Sequence, residues 1–451
     1  MTRLDRLAAL VLTLSLGGAA WAQDSFKFRA DRGRPLPVAL LATNGSLDLT
    51  WPDAAGSDWD TALLGVRVEA AAEGLPYVEI ASGAASDRQY FPAADSGLRW
   101  LNLSFLRGVL RPGVHVDLHG QGVTVGAGAA TLRLFATRPD LSKPILVLAP
   151  HPDDAEIATF GVYARRNATV VTLTVGNAGD PAYDSVLSDI PELYRFKGRV
   201  RLIDSITVPW QGGIPPERCF NLGYFDARLA EMHGKPNETI PEMYGPNSDI
   251  GVYLKDNIGS LLPKGPRTSK WTNLVEDLEK VLKKVKPAVI LAPHPQLDTH
   301  WDHQFTTIAL AEALARWKKP ATLLLYTNHA DSNKYPYGPA GTLMSLPPPV
   351  PHEVSLDRVY SHPVAPDVQR LKLFALESMH DLRSTPTQQY RLVSGSDDRA
   401  IAPEKPGPPM DVSYLRRGPR SNEFFYAYDQ DSLKPMIDAF LKEWQKARSG
   451  S

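Results

Sequence analysis

Cysteine is almost absent from this chain of 451 residues, and the single one, Cys219, cannot form an intramolecular disulfide. The fold therefore does not depend on disulfide bonds. No histidine lies near Cys219 in the sequence, which favours a packed, unreactive thiol over a nucleophile. An excess of charge is also missing, since 49 Lys and Arg face 50 Asp and Glu, with a formal net charge of −1. No basic block stands out, so nucleic acid is not expected as a partner.

Long apolar runs are missing except near the start, where Leu7 to Leu16 is apolar. Two arginines precede this run, and Ala20-Trp21-Ala22 has the small-x-small pattern of a cleavage site. Residues 1–22 are therefore predicted to be a signal peptide, with Gln23 first in a periplasmic or secreted protein. An uncleaved membrane anchor is the alternative, but the run is short for a bilayer crossing. No stable membrane insertion is expected after cleavage.

A chain of this length is expected to form two domains. Residues 23–136 contain short alternating runs, such as Val114 to His119, separated by Gly, Pro and Asp. They predict an all-β sandwich that could bind a glycan. The tryptophans of this domain, Trp51, Trp59 and Trp100, could stack on sugars, but packing in the core is favoured. His115 and His119 lie on the polar face of one predicted strand and are interpreted as surface residues.

A polar linker, residues 137–144, separates this domain from residues 145–451, where strand and helix patterns alternate. The alternation predicts an α/β domain with a Rossmann-like, mainly parallel sheet flanked by helices. The clearest helices are Asn273 to Lys286 and Ser432 to Ala447. Five runs are predicted as strands: Ile145–Ala149, Thr169–Val175, Ile203–Val208, Ala288–Ala292 and Ala321–Tyr326. Two long aperiodic segments, Pro209–Lys270 and Asn328–Pro351, are expected to line a substrate cleft.

The first chemical element follows the apolar run that ends at Ala149 and reads His-Pro-Asp-Asp-Ala-Glu from His151. Ligands of α/β proteins bind where a strand ends and a helix begins. His151 and Asp154 offer a nitrogen and an oxygen to a metal. The alternative is helix capping, because Asp153 and Glu156 have the spacing of a capping box. Capping explains neither the histidine nor the second aspartate.

The second element reads Asp-Thr-His-Trp-Asp-His from residue 298 to residue 303. His300 and His303 are three residues apart and share a face if a helix has begun there. A polar helix start is the alternative. Catalytic zinc takes three protein ligands and keeps one open position. His151, Asp154 and His303 form such a set, which leaves His300 for proton transfer or oxyanion stabilisation.

Together the two elements resemble the PIG-L/LmbE-like family of zinc-dependent N-deacetylases, over roughly residues 143–390. The resemblance implies that His151, Asp154 and His303 bind zinc. It also implies that Asp153 is the general base and that His300 is the electrophilic or acid histidine.

Four further residues are assigned supporting roles. Glu156 and Asp302 are expected to orient the metal-binding groups. Arg195 and Asp226 are expected to contact substrate, on a weaker resemblance to the family. The Arg-x-x-Glu pattern that the family usually has lacks its Glu after Arg195. For Asp226, a position on the surface is equally compatible with the sequence. Fe²⁺ or Co²⁺ could replace Zn²⁺ at these ligands.

The expected function is therefore that of an exported zinc-dependent N-deacetylase acting on N-acetyl-amino sugars in a glycan or polysaccharide. One alternative is a deacylase of a small or lipid-linked acyl-amino sugar. Another is a non-catalytic glycan-binding protein with a vestigial metal site. Asp153 favours an enzyme, because a vestigial site has no need of a base.

Overall fold

A computed structural model of the protein describes residues 25–29, 31–181, 183–259, 261–262, 267–380 and 414–449. The signal peptide expected over residues 1–22 lies outside these ranges. None of the helices within them combines the length and apolar composition that a bilayer crossing requires.

Antiparallel strands dominate the N-terminal part, as expected. Nine of them form one sheet in the order β6-β5-β8-β3-β2-β10-β4-β7, with β9 paired to β4. The first ten strands are β1 Phe26–Phe28, β2 Arg34–Thr43, β3 Ser46–Thr50, β4 Thr61–Ala70, β5 Tyr77–Ser82, β6 Ala85–Tyr90, β7 Ser96–Asn102, β8 His115–Gln121, β9 Val123–Val125 and β10 Gly128–Phe135.

The two halves of this sheet are joined through β2, which pairs with β10 along its first residues and with β3 along its last. Both halves contribute to one buried apolar cluster, with Ile80 and Leu118 from one half and Leu64 and Leu132 from the other. The sequence predicted a sandwich of two packed sheets. In the structure the two halves enclose one core, and β2 joins them into a single continuous sheet. Trp51 and Trp59 belong to the cluster and Trp100 is also buried, which confirms that all three pack internally.

The second part contains a seven-stranded sheet in the order β13-β12-β11-β14-β15-β18-β17. The first five of these strands are parallel, and β18 and β17 form an antiparallel edge. The strands of this sheet are β11 Ile145–Ala149, β12 Ala168–Thr174, β13 Cys219–Tyr224, β14 Val289–Pro293, β15 Thr322–Tyr326, β17 Arg358–Pro363 and β18 Asn422–Tyr428. Outside it, β16 Val354–Leu356 pairs in parallel with β1. The α/β class is confirmed.

Helices accompany these strands along the chain. The helices are α1 Asp154–Tyr163, α2 Ile190–Thr207, α3 Leu229–Gly234, α4 Gly251–Leu254, α5 Trp271–Val285, α6 Trp301–Trp317, α7 Pro366–Glu377 and α8 Gln430–Ser449. Leu274, Leu278 and Leu282 of α5 are buried on one face, as the apolar stripe of that helix predicted.

One strand prediction is wrong. Residues Ile203–Val208 lie in α2 and the turn after it rather than in the sheet. Asp189 begins α2, because its carboxylate accepts a hydrogen bond from the backbone N–H of Glu192. A short run of apolar and β-branched residues fits a strand or a buried helix equally well. The missing strand is β13, which lies inside the segment that the sequence assigned to a cleft wall.

The predicted linker, residues 137–144, is packed against the second sheet where it begins. Thr137 is buried and its Oγ1 donates to the carbonyl of Val359 at 2.9 Å. Phe26, Trp100 and Phe135 belong to the apolar core of the second sheet. The two parts of the chain therefore share a continuous core.

The strand order fixes where side chains can meet. From β11 the chain proceeds to β12 and β13 on one side, then crosses to β14 and β15 on the other. A crevice forms beyond the carboxyl ends of the strands at such a reversal. His151 follows β11, Asp226 follows β13, Asp298 follows β14 and Asn328 follows β15. All four therefore lie at the same edge of the sheet.

Candidate metal site and active centre

Three buried donor atoms form a nearly equilateral triangle at this edge. His151 Nδ1 lies 3.2 Å from Asp154 Oδ2, and His303 Nε2 lies 3.1 Å from Asp154 Oδ2 and 3.2 Å from His151 Nδ1. Tetrahedral zinc with bonds of ~2.0–2.1 Å separates its ligand atoms by about 3.3 Å. The three residues predicted as ligands therefore present their donors at the spacing that a zinc ion requires.

Carboxylates contact the ring nitrogens of His151 and His303 that are not part of the donor triangle. His151 Nε2 lies 3.0 Å from Asp226 Oδ1 and 3.3 Å from Asp302 Oδ2, and His303 Nδ1 lies 3.0 Å from Asp298 Oδ2. A carboxylate that accepts a hydrogen bond from one ring nitrogen leaves the lone pair of the other free for a metal. Asp302 is thus placed as expected, while Asp226 and Asp298 were not assigned this contact from the sequence.

Asp298 connects several parts of the site. Its Oδ2 also accepts from the backbone N–H groups of Asn328 at 2.9 Å and His329 at 3.2 Å, and its Oδ1 accepts from that of His300 at 3.1 Å. Burial opposes ionisation, but the neighbouring His303 holds the pKa of Asp298 well below its usual range. Burial likewise lowers the pKa of His303, but Asp154 and Asp298 outweigh it and raise that pKa to about 9. The site therefore stabilises positive charge, which suits a divalent cation.

Asp153 adopts an unusual backbone conformation beside the triangle, with φ +126°. Such strained residues cluster at functional sites. Its side chain makes no capping hydrogen bond to α1, and Oδ2 instead lies 3.1 Å from Nη2 of Arg201. Burial raises the pKa of the Asp153 carboxyl to about 7 against the opposing charge of Arg201. The Asp153 side chain therefore does not cap α1.

Glu156 has a different contact from the one expected. Its Oε1 accepts a hydrogen bond from the hydroxyl of Tyr163 at 2.8 Å, within α1. Burial raises the pKa of Glu156 to about 8. The described contacts do not join this carboxylate to His151, Asp154 or His303. The capping box is not formed, and orientation of the metal-binding groups falls to Asp226, Asp298 and Asp302.

His300 caps the start of α6. Its Nδ1 accepts a hydrogen bond from the backbone N–H of Asp302 at 3.2 Å, so a neutral ring carries its proton on Nε2. Its ring centre lies 4.7 Å from that of His151. Burial, with the nearby His151 and His303, lowers the pKa of His300 to about 3. His300 is thus a neutral hydrogen-bond donor next to the metal ligands.

Comparison with known proteins agrees with this geometry. Residues 146–314 match the protein-family model described as PIG-L: GlcNAc-PI de-N-acetylase, and the matched range contains both chemical elements. That segment is therefore similar to the PIG-L family. No curated protein sequence matches the chain.

Two of the solved structures that align with this chain show how low the similarity is. One is GalB, the 4-carboxy-2-hydroxymuconate hydratase from Pseudomonas putida KT2440, with 13% identity, a TM-score of 0.30, and coverage of 64% of this chain and 95% of that chain. The other is a family two carbohydrate esterase from Cellvibrio japonicus, with 11% identity, a TM-score of 0.14, and coverage of 66% and 90%. Neither score is high enough to support an inference about fold or function.

A further imidazole beside the donor triangle, that of His329, was not identified from the sequence. It follows β15, and its ring centre lies 4.6 Å from that of His303. Its Nδ1 lies 2.8 Å from Asn333 Oδ1, which can only accept, so Nδ1 carries the proton and Nε2 is a free acceptor. Asp154, His303 and His329 form a further group that could hold a metal. Nothing in the local sequence distinguishes this histidine from a loop residue.

The two predicted substrate contacts lie in different places. Asp226 lies inside the candidate metal site, against His151 and the backbone N–H of Ala178. Arg195 is half exposed and pairs with Glu242 at 3.5 Å. It lines a separate pocket together with Arg199, Asn247 and Tyr253. The arginine of α2 that reaches Asp153 is Arg201. A substrate role for Arg195 stays a prediction.

Proposed function

We propose that the protein is an exported, zinc-dependent N-deacetylase that hydrolyses the acetamide of N-acetyl-amino sugars, in a glycan or polysaccharide. The observation that carries the proposal is the triangle of His151, Asp154 and His303, with a buried carboxylate and a neutral histidine beside it. The PIG-L match supports amide hydrolysis. Fe²⁺ or Co²⁺ would fit the same ligands.

The residues divide the chemistry between them. A zinc ion held by the triangle would polarise the amide carbonyl and bring the pKa of water close to neutral. Asp153 takes the proton from the water molecule that attacks the carbonyl carbon, with Arg201 orienting its carboxylate. His300 donates from Nε2 to the developing oxyanion. The C–N bond then breaks, the amine leaves with the proton that Asp153 took from the water molecule, and acetate is the second product.

A substrate panel tests the proposal. Purified, zinc-loaded protein would be incubated with chitooligosaccharides, with free N-acetylglucosamine and with a longer-chain N-acyl amino sugar. We expect free amine and acetate in equal amounts from the acetylated sugars. Release from the longer acyl chain alone would favour the deacylase alternative. No release from any member by fully metal-loaded protein would overturn the proposal.

Export depends on the signal peptide and has its own test. Mass spectrometry of protein recovered outside the cytoplasm should show Gln23 as the first residue, because cleavage is expected after Ala22. A mature exported chain that retained Met1 would contradict this processing, and would favour an uncleaved anchor instead.

A further inference from the structure

Trp301 is unusually exposed for so large an apolar side chain. Its relative exposure is 63%, whereas Trp51, Trp59 and Trp271 are each 2% exposed. Trp210, the other exposed tryptophan of the described residues, reaches 40%. Within the described residues, no hydrogen bond or ring contact involves the indole side chain of Trp301. Leaving an indole in water forgoes a large burial contribution, so the position calls for an explanation.

The position of Trp301 in the chain places it beside the reacting groups. It is the first residue of α6 and is flanked by two residues of the site. His300 faces His151 on one side, and Asp302 contacts His151 Nε2 on the other. Adjacent Cα atoms are ~3.8 Å apart, so the Cα atom of Trp301 lies at that distance from the Cα atom of His300, the histidine assigned to the oxyanion.

The backbone that carries Trp301 is firmly held. The carboxylate of Asp302 accepts hydrogen bonds from the backbone N–H groups of Ala227 at 2.6 Å and Leu229 at 3.1 Å. His300 caps the same helix start. A side chain on so well fixed a helix start can act as a preorganised contact surface, because little backbone freedom is lost when a ligand binds.

Its neighbours in the chain are polar. Thr299 is exposed, Gln304 is half-buried, and the two flanking residues are charged or imidazole-bearing. Larger apolar contact surfaces for a protein partner contain several apolar residues together. A single indole among polar groups suits a ligand that has both an apolar face and many hydroxyl groups.

We infer that Trp301 stacks on the pyranose ring whose acetamide occupies the metal site, and so selects cyclic acetamido sugars over acyclic N-acetyl amines. The inference rests on the proposed function. In a 2-acetamido sugar the acetyl carbonyl and the ring are joined through a single nitrogen atom. A carbonyl held at His300 therefore brings the ring into the neighbourhood of Trp301, whose face can cover the C–H groups of the sugar.

Binding to a protein that cannot turn over the ligand gives the first test. In an Asp153→Asn background without added metal, calorimetry with chitotriose would compare the intact tryptophan with Trp301→Ala and Trp301→Phe. We expect Trp301→Ala to weaken binding by about ten-fold, since an aromatic contact contributes up to ~1.5 kcal/mol. Trp301→Phe should retain most of the affinity. Trp210→Ala is the matched control and should bind like the parent.

Turnover gives the second test. With zinc-loaded enzyme, Trp301→Ala should raise KM for the sugar by about ten-fold with little change in kcat. The same variant should leave hydrolysis of acyclic N-acetylethanolamine unchanged. Unaltered sugar binding in Trp301→Ala, or equal losses on both substrates, would overturn the inference. If the parent enzyme hydrolysed neither substrate, the proposed function would fail, while the calorimetric comparison would still decide the role of Trp301.

Discussion

Replacing Asp153 with asparagine should lower the rate of amide hydrolysis by about 10²–10⁴-fold while zinc remains bound, because a positioned base contributes about that factor. Asp153 lies outside the donor triangle, and its carboxylate is directed to Arg201. Asparagine tolerates positive φ nearly as well as aspartate, so the backbone at φ +126° can persist. Rate, zinc content and melting temperature would be measured on the same preparation.

Asp189 supplies the matched control for this experiment. It is the aspartate that caps a helix, since its side chain accepts from the N–H of Glu192 at 3.0 Å. Asp189→Ala should cost about 1 kcal/mol of stability with turnover nearly intact. A zinc-loaded Asp153→Asn protein that behaved in the same way, less stable but fully active, would show that Asp153 is a structural residue.

Replacing His303 with alanine should remove most of the bound zinc and abolish turnover. One vertex of the donor triangle disappears, and Asp154 and Asp298 lose the cationic or metal-bound partner that offsets their charge. Elemental analysis of the folded variant, checked by circular dichroism, measures the loss. Full zinc occupancy in His303→Ala would mean that other residues hold the metal.

His294 is the control for a buried histidine. The run Leu-Ala-Pro-His-Pro at residues 291–295 contains it and repeats the run at residues 148–152 that contains His151. The Nε2 atom of His294 lies 3.0 Å from the hydroxyl of Tyr428. Burial lowers the pKa of His294 to about 3, so the ring is neutral in place. His294→Gln retains a polar group and should keep its zinc. Comparable zinc loss in both variants would point to general unfolding.

Strongly patterned elements could be predicted from the sequence. The apolar stripe of α5 leaves one interpretation, and the short apolar run of β11 lies between two prolines, Pro144 and Pro150, which favours a strand. The donor pair of His151 and Asp154 is local, so its spacing is visible in one turn. His303 is distant in sequence, and its pairing with them depended on the family resemblance.

Other features depend on three-dimensional placement that local spacing does not encode. Asp298 and His329 reach the site because β14 and β15 lie next to each other beyond β11. Arg201 approaches Asp153 from α2, whose last residues were predicted to be a strand. The capping box failed for a backbone reason, since φ at Asp153 turns its carboxylate away from α1. Sequence spacing alone could not distinguish that conformation from an ordinary cap.

Release of acetate and amine from chitooligosaccharides, before and after zinc is restored to metal-depleted protein, tests the central claim most directly. The structure predicts negligible release without metal, and equal amounts of both products once one zinc per chain is bound. Equal rates with and without metal, or intact acetamides in the presence of fully zinc-loaded protein, would contradict it.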